Sequence, residues 1–403
     1  MSSPKRLVQF GAGNIGRSFV GQIFGRNGWE VVFVDVDRPL IEALNRDNAY
    51  QVVVRHPDGR EERITVPGVR GVDARDDRAV AAELEATDYV ATSVGAGSIS
   101  HVAAPLARES LRRWQQEPGR MPFDLILAEN IHDGAALLRK LLLAELPAGA
   151  DPSMLPAIVE CSVGKMVPLI PASLREREPT TVYAEAYNTL IVDRRTWRHE
   201  IPDIPQLAPV ARIEAYVDRK LFVHNMGHAA VAYLGHIRKG EARQLWELLE
   251  EPQLLEEARE AMECSADALA AAYPEELDRE ELSAHIEDLL YRFSNRALGD
   301  TVYRVGRDLK RKLGPSDRIV GALRLAERHH IRSEAILRVY AAALQFRAGD
   351  EAGDLYPGDR EFHRRLASEG VDYALREVSG VRREEPLYRK LHTAIRGVAP
   401  TDG

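Results

Sequence analysis

Residues 6–37 read RLVQFGAGNIGRSFVGQIFGRNGWEVVFVDVD. The apolar run at 6–10 has the length of a short buried strand, and the β-branched run at 30–37 reads as a second. Between them lies a glycine-punctuated turn that runs into a helix, so the stretch is one strand–helix–strand unit. The turn, Gly11-Ala12-Gly13-Asn14-Ile15-Gly16, has the G-x-G-x-x-G spacing. In that spacing the first glycine makes the turn and the second lets backbone approach a pyrophosphate. The third allows close packing of helix on strand. The phosphate then meets unpaired N–H groups at the positive end of the helix. The turn directly follows a strand and opens a helix, which is the context that points to a dinucleotide rather than to a plain turn.

Asp35 closes the second strand. A carboxylate there accepts hydrogen bonds from the adenosine ribose and repels a 2'-phosphate, so NAD is expected rather than NADP. Asp37 competes for that role on the same strand face, and Arg17 reads as a solvated side chain.

Working outward, YQVVVRHPDGREERITVPGVR from Tyr50 onwards reads as a hairpin turning at Pro57-Asp58-Gly59. TDYVATSVG (87–95), FDLILAEN (123–130) and MLPAIVECSVGK (154–165) read as further strands, each ending in small or polar residues. Such C-terminal strand ends line the ligand crevice of a doubly wound sheet. Val94 and Gly95 are therefore placed at the cofactor, and Glu129 and Asn130 near its nicotinamide end. The competing reading has the last two capping a helix that begins near Asp133. From about residue 205 strands become scarce, and helical stretches dominate at 209–238, 240–272, 278–292, 316–329 and 332–347. The expected fold is α/β: an N-terminal Rossmann-type doubly wound domain at 1–200, followed by a mainly helical substrate and catalytic domain at 201–403.

The net charge of -8 argues against nucleic acid or an anionic membrane as partner, while leaving room for a locally basic pocket. Two cysteines supply neither a disulfide framework nor a four-thiolate metal site. No stretch approaches the roughly 20 apolar residues that span a bilayer. The opening MSSPKRLVQFGAGNIG has no signal-like apolar core, so a cytoplasmic protein is expected, as a monomer or weak dimer.

The helical half holds the second informative stretch, RKLFVHNMGH at 219–228. At 100° per residue Lys220, His224 and His228 form a stripe of i,i+4 neighbours with Asn225 at its border, and all four can face one cavity. A lysine in cationic or poorly solvated surroundings can act as a general base towards a hydroxyl. Asn225 can polarise a carbonyl oxygen, and His228 can orient a hydroxyl. Spacing alone also allows a snorkelling lysine and packed histidines. Without a glutamate in an H-E-x-x-H arrangement no metal site is expected.

Together these stretches resemble the polyol-specific long-chain dehydrogenase/reductase family. Its signature, a lysine followed after five residues by asparagine and after three more by histidine, is matched by Lys220, Asn225 and His228. FGAGNIGRSFVG, YQVVV at 50–54, IVDR at 191–194, RKLFVHNMGHAAVAYLG at 219–235 and RVGRDLKRKLGPSDR at 304–318 are similar as well. The resemblance implies Lys220 as general acid/base and Asn225, with Asn130 across the cleft, as stabiliser of the oxyanion. It further implies His228 as the group that positions substrate, with NAD or NADP and no catalytic metal. The compact length looks like the phosphate-specific branch, which implies reversible oxidation of mannitol 1-phosphate to fructose 6-phosphate. Free mannitol, fructuronate or tagaturonate dehydrogenation is the nearest alternative, and a non-catalytic NAD-binding regulator is the more distant one.

Two stretches depart from the family's pattern. Gly164-Lys165 stands where an Asp-Arg pair is common, and Asn188 and Leu190 stand where an acidic and then an aromatic residue occur. Lysine keeps the charge but loses arginine's two-pronged geometry. Lys165, Arg304 and Arg307 are the candidates for holding a substrate phosphate. The basic run Arg304, Arg307, Lys310, Arg311 and Lys312 reads equally as a solvated helix face.

Overall fold

The computed structural model describes residues 5–131, 133–168 and 172–397. The chain forms two compact units, one extending to Ile213 and the other beginning at Glu214.

Among its described residues the first unit carries eleven strands: β1 (Arg6–Phe10), β2 (Glu30–Asp35), β3 (Ala49–Arg55), β4 (Glu61–Pro67), β5 (Val69–Asp73), β6 (Tyr89–Thr92), β7 (Asp124–Leu127), β8 (Ala157–Ser162), β9 (Val182–Ala184), β10 (Leu190–Asp193) and β11 (Leu207–Val210). Eight form one sheet in the order β11-β10-β8-β7-β6-β1-β2-β5; β4-β3-β9 form a second. The pairs from β5 to β8 are parallel, and β10 runs antiparallel to β8. Alternation explains why this sheet is buried on both faces. Leu7, Val31 and Phe33 enter one core, and Val8, Phe10, Val32 and Val34 enter the other.

The hairpin β3–β4 turns at the expected residues and its register runs from Ala49 opposite Pro67 to Arg55 opposite Glu61. Strands β9, β10 and β11 were not expected. Each is three or four residues long, too short to show a period. They also move the limit between the halves. Leu207–Val210 pair in register with β10, so the first unit runs past residue 200 to Ile213.

The second unit is helical among its described residues. The helix Pro252–Ala272 packs against Met226–Arg238, Arg279–Phe293, Val320–Arg328 and Glu334–Gln345. Gly227 permits the first of these approaches, because a Cβ there would lie 2.5 Å from the Met262 sulfur. The expected helix at 209–238 starts later, at Ile213, since 207–210 is strand. The expected helix at 240–272 is two, Leu245–Leu249 and Pro252–Ala272, with proline at the first position of the second.

Candidate functional site

In the first unit the three glycines of the turn differ in what they do. Gly11 has φ +90°, and a Cβ there would stand 2.7 Å from the Ser93 carbonyl oxygen. A Cβ on Gly16 would stand 2.0 Å from the Gly11 carbonyl oxygen. Both glycines therefore serve the turn itself. Around Gly13 no heavy atom lies within 4 Å of the Cβ position. That is an open approach to backbone, next to the exposed Asn14 and half-buried Ile15 that begin the helix. From the end of β2, Asp35 braces the turn by accepting the Ala12 N–H at 2.6 Å and the Asp37 N–H at 3.0 Å. An open glycine, helix-start N–H groups and a carboxylate beyond them fit a dinucleotide.

The helix continues as a π turn over Gly16–Gly21, in which the Gln22 N–H reaches back to the Arg17 carbonyl. The Tyr50 hydroxyl donates to the same carbonyl at 2.6 Å. Arg17 itself is buried rather than solvated. Its guanidinium donates to the carbonyls of Ala12 (2.7 Å), Pro179 (3.1 Å) and Thr180 (2.9 Å). Burial lowers its pKa to about 10, against the opposing pull of Tyr50, Asp35 and Asp37. It is a strut between the turn and the chain ahead of β9, and helical periodicity gave no sign of that role.

Glu129 does not cap the helix Gly134–Ala144. Its carboxylate accepts from the Thr92 hydroxyl (2.9 Å), the Val94 N–H (2.7 Å) and the Gly95 N–H (2.9 Å). It thereby ties the end of β7 to the loop after β6. Asn130 is exposed beside it. Sequence reasoning missed Gln9, whose buried amide donates to the Phe10 carbonyl (2.5 Å) and the Ser93 hydroxyl (3.0 Å) beneath the glycine turn. Its signal was a single polar residue inside an apolar strand.

Lys165 is buried in the same unit. Its ammonium lies 3.0 Å from the Asn188 amide oxygen, 3.5 Å from that of Gln22 and 5.6 Å from the Phe19 ring centre. The two segments that depart from the family pattern therefore meet. A groove of about 800 Å³, lined by residues such as Arg139, Glu160 and Trp197, contains none of the candidates.

In the second unit the expected stripe is altered by the backbone. Lys220–Asn225 form a π turn between the α-helices Ile213–Arg219 and Met226–Arg238. The Met226 N–H bonds to the Leu221 carbonyl, five residues back. In an unbroken α-helix, residues five apart stand about 140° apart around the axis. The wider i→i+5 turn advances less per residue and swings Asn225 back towards the side of Lys220. His224 is not part of an exposed stripe. It is buried, with its ring 5.5 Å from Phe293 and 6.4 Å from His228. Burial first, then the charges of Arg292, His228, Lys220 and His285, hold it well below the usual imidazole pKa. His224 is thus a neutral packing residue in a positively charged neighbourhood, while Lys220, Asn225 and His228 are each partly exposed.

The His228 ring stacks on Phe293 at 4.7 Å and 20°. Its Nε2 lies 3.2 Å from Asp300 Oδ2, within ion-pair range but off hydrogen-bond alignment. The other Asp300 oxygen pairs with Arg304. The basic run is divided by its surroundings. Arg304 is committed to Asp300. Arg307 is exposed, with its guanidinium 5.3 Å from the Tyr303 ring centre and 5.6 Å from that of Tyr356. Lys312 is buried, donates to the Val305 and Arg307 carbonyls, and has its pKa lowered to about 7, chiefly by burial. Lys310 and Arg311 are exposed. Among the described residues no group of three or more His, Cys, Asp or Glu could hold a metal ion.

Comparison with known proteins gives matches along both halves. Residues 5–206 match the family described as the mannitol dehydrogenase Rossmann domain, and residues 212–398 its C-terminal domain. The chain is similar in structure to a D-sorbitol dehydrogenase in substrate-free form. The TM-score is 0.76 at 18% identity, covering 97% of this chain and 91% of that one. It is also similar to mannitol 2-dehydrogenase of Pseudomonas fluorescens, solved as a ternary complex with NAD and D-mannitol. There the TM-score is 0.65 at 17% identity, with coverage of 98% and 91%. At these identities the structures speak to fold, and the Rossmann-type sheet followed by a helical half is common to them.

Proposed function

The chain belongs to the mannitol dehydrogenase family, and from that premise we propose that it oxidises mannitol 1-phosphate reversibly to fructose 6-phosphate. At the coarser level it is an NAD-dependent polyol dehydrogenase. The observation that carries the catalytic reading is the π turn Lys220–Asn225 immediately ahead of His228. It turns the amide towards the lysine's side and leaves both, with the imidazole, partly exposed.

Gly11, Gly13, Asn14, Ile15 and Gly16 form the backbone that receives the cofactor, braced by Asp35, with Val94 and Gly95 held in place by Glu129. The chemistry supplied by bound NAD is acceptance of the carbinol hydride. Lys220 takes the hydroxyl proton during oxidation and returns it to the alkoxide in the reverse direction. Asn225 donates an amide N–H to the oxygen where negative charge develops, the role the resemblance also gives Asn130. His228 orients a neighbouring hydroxyl.

The phosphate assignment is supported by Lys165, a buried cation directed at the neutral amides of Asn188 and Gln22, and by the exposed Arg307. Because Gly164 and Asn188 replace charged residues of the family's pattern, free fructose or a hexuronate is the competing substrate. NADH consumption with fructose 6-phosphate, fructose, fructuronate and tagaturonate, with NADPH as control, decides between them. A dominant rate with fructose 6-phosphate is expected. Dominance of another ketose would keep the lysine chemistry and reject the phosphate, and NADH binding without any turnover would reject the enzyme.

A further inference from the structure

Two arginines flank the carboxylate that closes β2, and both are already engaged. Arg38 begins the helix Arg38–Asp47, three residues beyond Asp35, and Arg75 follows β5 by two residues. β5 is a parallel neighbour of β2, with Asp73 directly opposite Asp35 in register. Strands so paired stand about 4.8 Å apart, so both arginines emerge beside the residue that braces the glycine turn. In this fold an arginine near that carboxylate is what accommodates the 2'-phosphate of NADP. Here there are two, and the chain is nevertheless an NAD-dependent dehydrogenase.

Asp73 accounts for the discrepancy. Its Oδ2 accepts from Arg38 Nε at 2.6 Å, and its Oδ1 accepts the Arg75 backbone N–H at 3.0 Å. The Arg75 guanidinium turns the same way. Its Nη2 donates to the Val36 carbonyl at 3.0 Å, with Nη1 3.7 Å from Asp73 Oδ2. The Arg75 N–H first, then the Arg38 guanidinium, hold the Asp73 carboxyl below the usual carboxylate range, so it is ionised at neutral pH. Helix stability does not explain Arg38, because a cation at the first position faces the positive end of the dipole. The cap there is Asp37, whose carboxylate accepts the Leu40 N–H at 3.2 Å. Arg38 and Arg75 are 66% and 56% exposed, so Asp73 and not packing restrains them.

We infer that Asp73 is a positioning residue that keeps Arg38 and Arg75 from pairing with a 2'-phosphate, and that together with Asp35 it sets the preference for NAD over NADP. The inference rests on the dinucleotide reading of the glycine turn. The two carboxylates act differently. Asp35 repels the phosphate directly, while Asp73 withholds the cations that would offset that repulsion. Neutralising Asp35 alone therefore leaves a 2'-phosphate without a partner, and neutralising both supplies one.

The test is fluorescence titration of NADH and NADPH, without substrate, on the wild type, Asp35→Ser, Asp73→Ser and the double variant. Serine keeps a short acceptor for the Arg75 N–H. The readout is the ratio of the two Kd values, which a merely structural role of Asp73 would not move, since lost structure weakens both nucleotides alike. Asp73→Ser should shift the ratio towards NADPH on the order of 10-fold, the scale of one charge-assisted hydrogen bond, and the double variant should shift it further than Asp35→Ser does. The shift should shrink in high salt and largely vanish when Arg38→Gln and Arg75→Gln are added. Asp73→Asn should shift the ratio in the same direction and serves if Asp73→Ser does not fold. An unchanged ratio in a wild type that binds NADH, or a shift that survives the loss of both arginines, would overturn the role of Asp73 alone. A wild type that binds neither nucleotide would overturn the dinucleotide reading and this inference with it.

Discussion

Gly13→Ala isolates the use of the glycine turn from its folding. The new Cβ would meet no heavy atom within 4 Å, and Gly13 has no left-handed φ, so the folded chain without ligand should tolerate it. Stability should stay within about 0.5 kcal/mol, as for substitutions that touch nothing. The methyl instead fills the space through which a pyrophosphate reaches the helix-start N–H groups. Losing one charge-assisted hydrogen bond costs about 1.5–3 kcal/mol. At 1.4 kcal/mol per decade, the Kd for NADH should rise roughly 10–150-fold. Gly16→Ala is the contrast. Its methyl would stand 2.0 Å from the Gly11 carbonyl oxygen, a backbone atom with nowhere to move, so the fold itself should lose stability. The assay is NADH fluorescence titration alongside urea unfolding without cofactor. If Gly13→Ala binds NADH as the wild type does, the turn does not cradle a phosphate. If it destabilises the chain as much as Gly16→Ala does, the open side of Gly13 has been misread.

Lys220→Ala should abolish most turnover while leaving the Kd for NADH unchanged, and near-normal kcat would reject the general-base role. Lys165→Gln and Arg307→Gln, compared in parallel, should raise KM for a phosphorylated ketose far more than for its unphosphorylated form. Equal effects on the two substrates would remove them from phosphate binding. Acid should weaken the second unit. Burial, with Arg219 and Arg292 nearby, lowers the pKa of His285 to about 3, and His224 is shifted in the same direction. Between the unfolded value near pH 6.5 and pH 3 the unfolded chain binds a proton that folded His285 does not. The stabilisation is therefore complete above about pH 6.5 and falls as pH drops, by at most about 1.4 kcal/mol per pH unit for each such histidine. Urea midpoints at mildly acid and neutral pH should differ less in His285→Asn than in the wild type; an unchanged difference would mean that His285 is solvated.

What could be read without the fold was whatever depends on neighbours in sequence. The βαβ unit of Arg6–Asp35 is legible because two short apolar runs and a glycine spacing are all local, and the hairpin β3–β4 is legible because its turn residues sit at its tip. The lysine, asparagine and histidine spacing is likewise a local pattern, and family profiles match along both halves. The tertiary structure decided which side chains are available. The π turn at Lys220–Asn225 moves Asn225 around the helix, and burial withdraws His224 from the stripe that a regular 100° step implies. Glu129 bonds to the loop after β6 and not to the helix that the competing reading had it cap, and Arg17 is drawn from solvent to the carbonyls ahead of β9. Lys165 is matched with Asn188, and His228 with Asp300, from separate parts of the chain. Periodicity reports how one element faces a core. Hydrogen-bond satisfaction and desolvation are settled between elements, so the partner of a polar side chain exists only once those elements have packed.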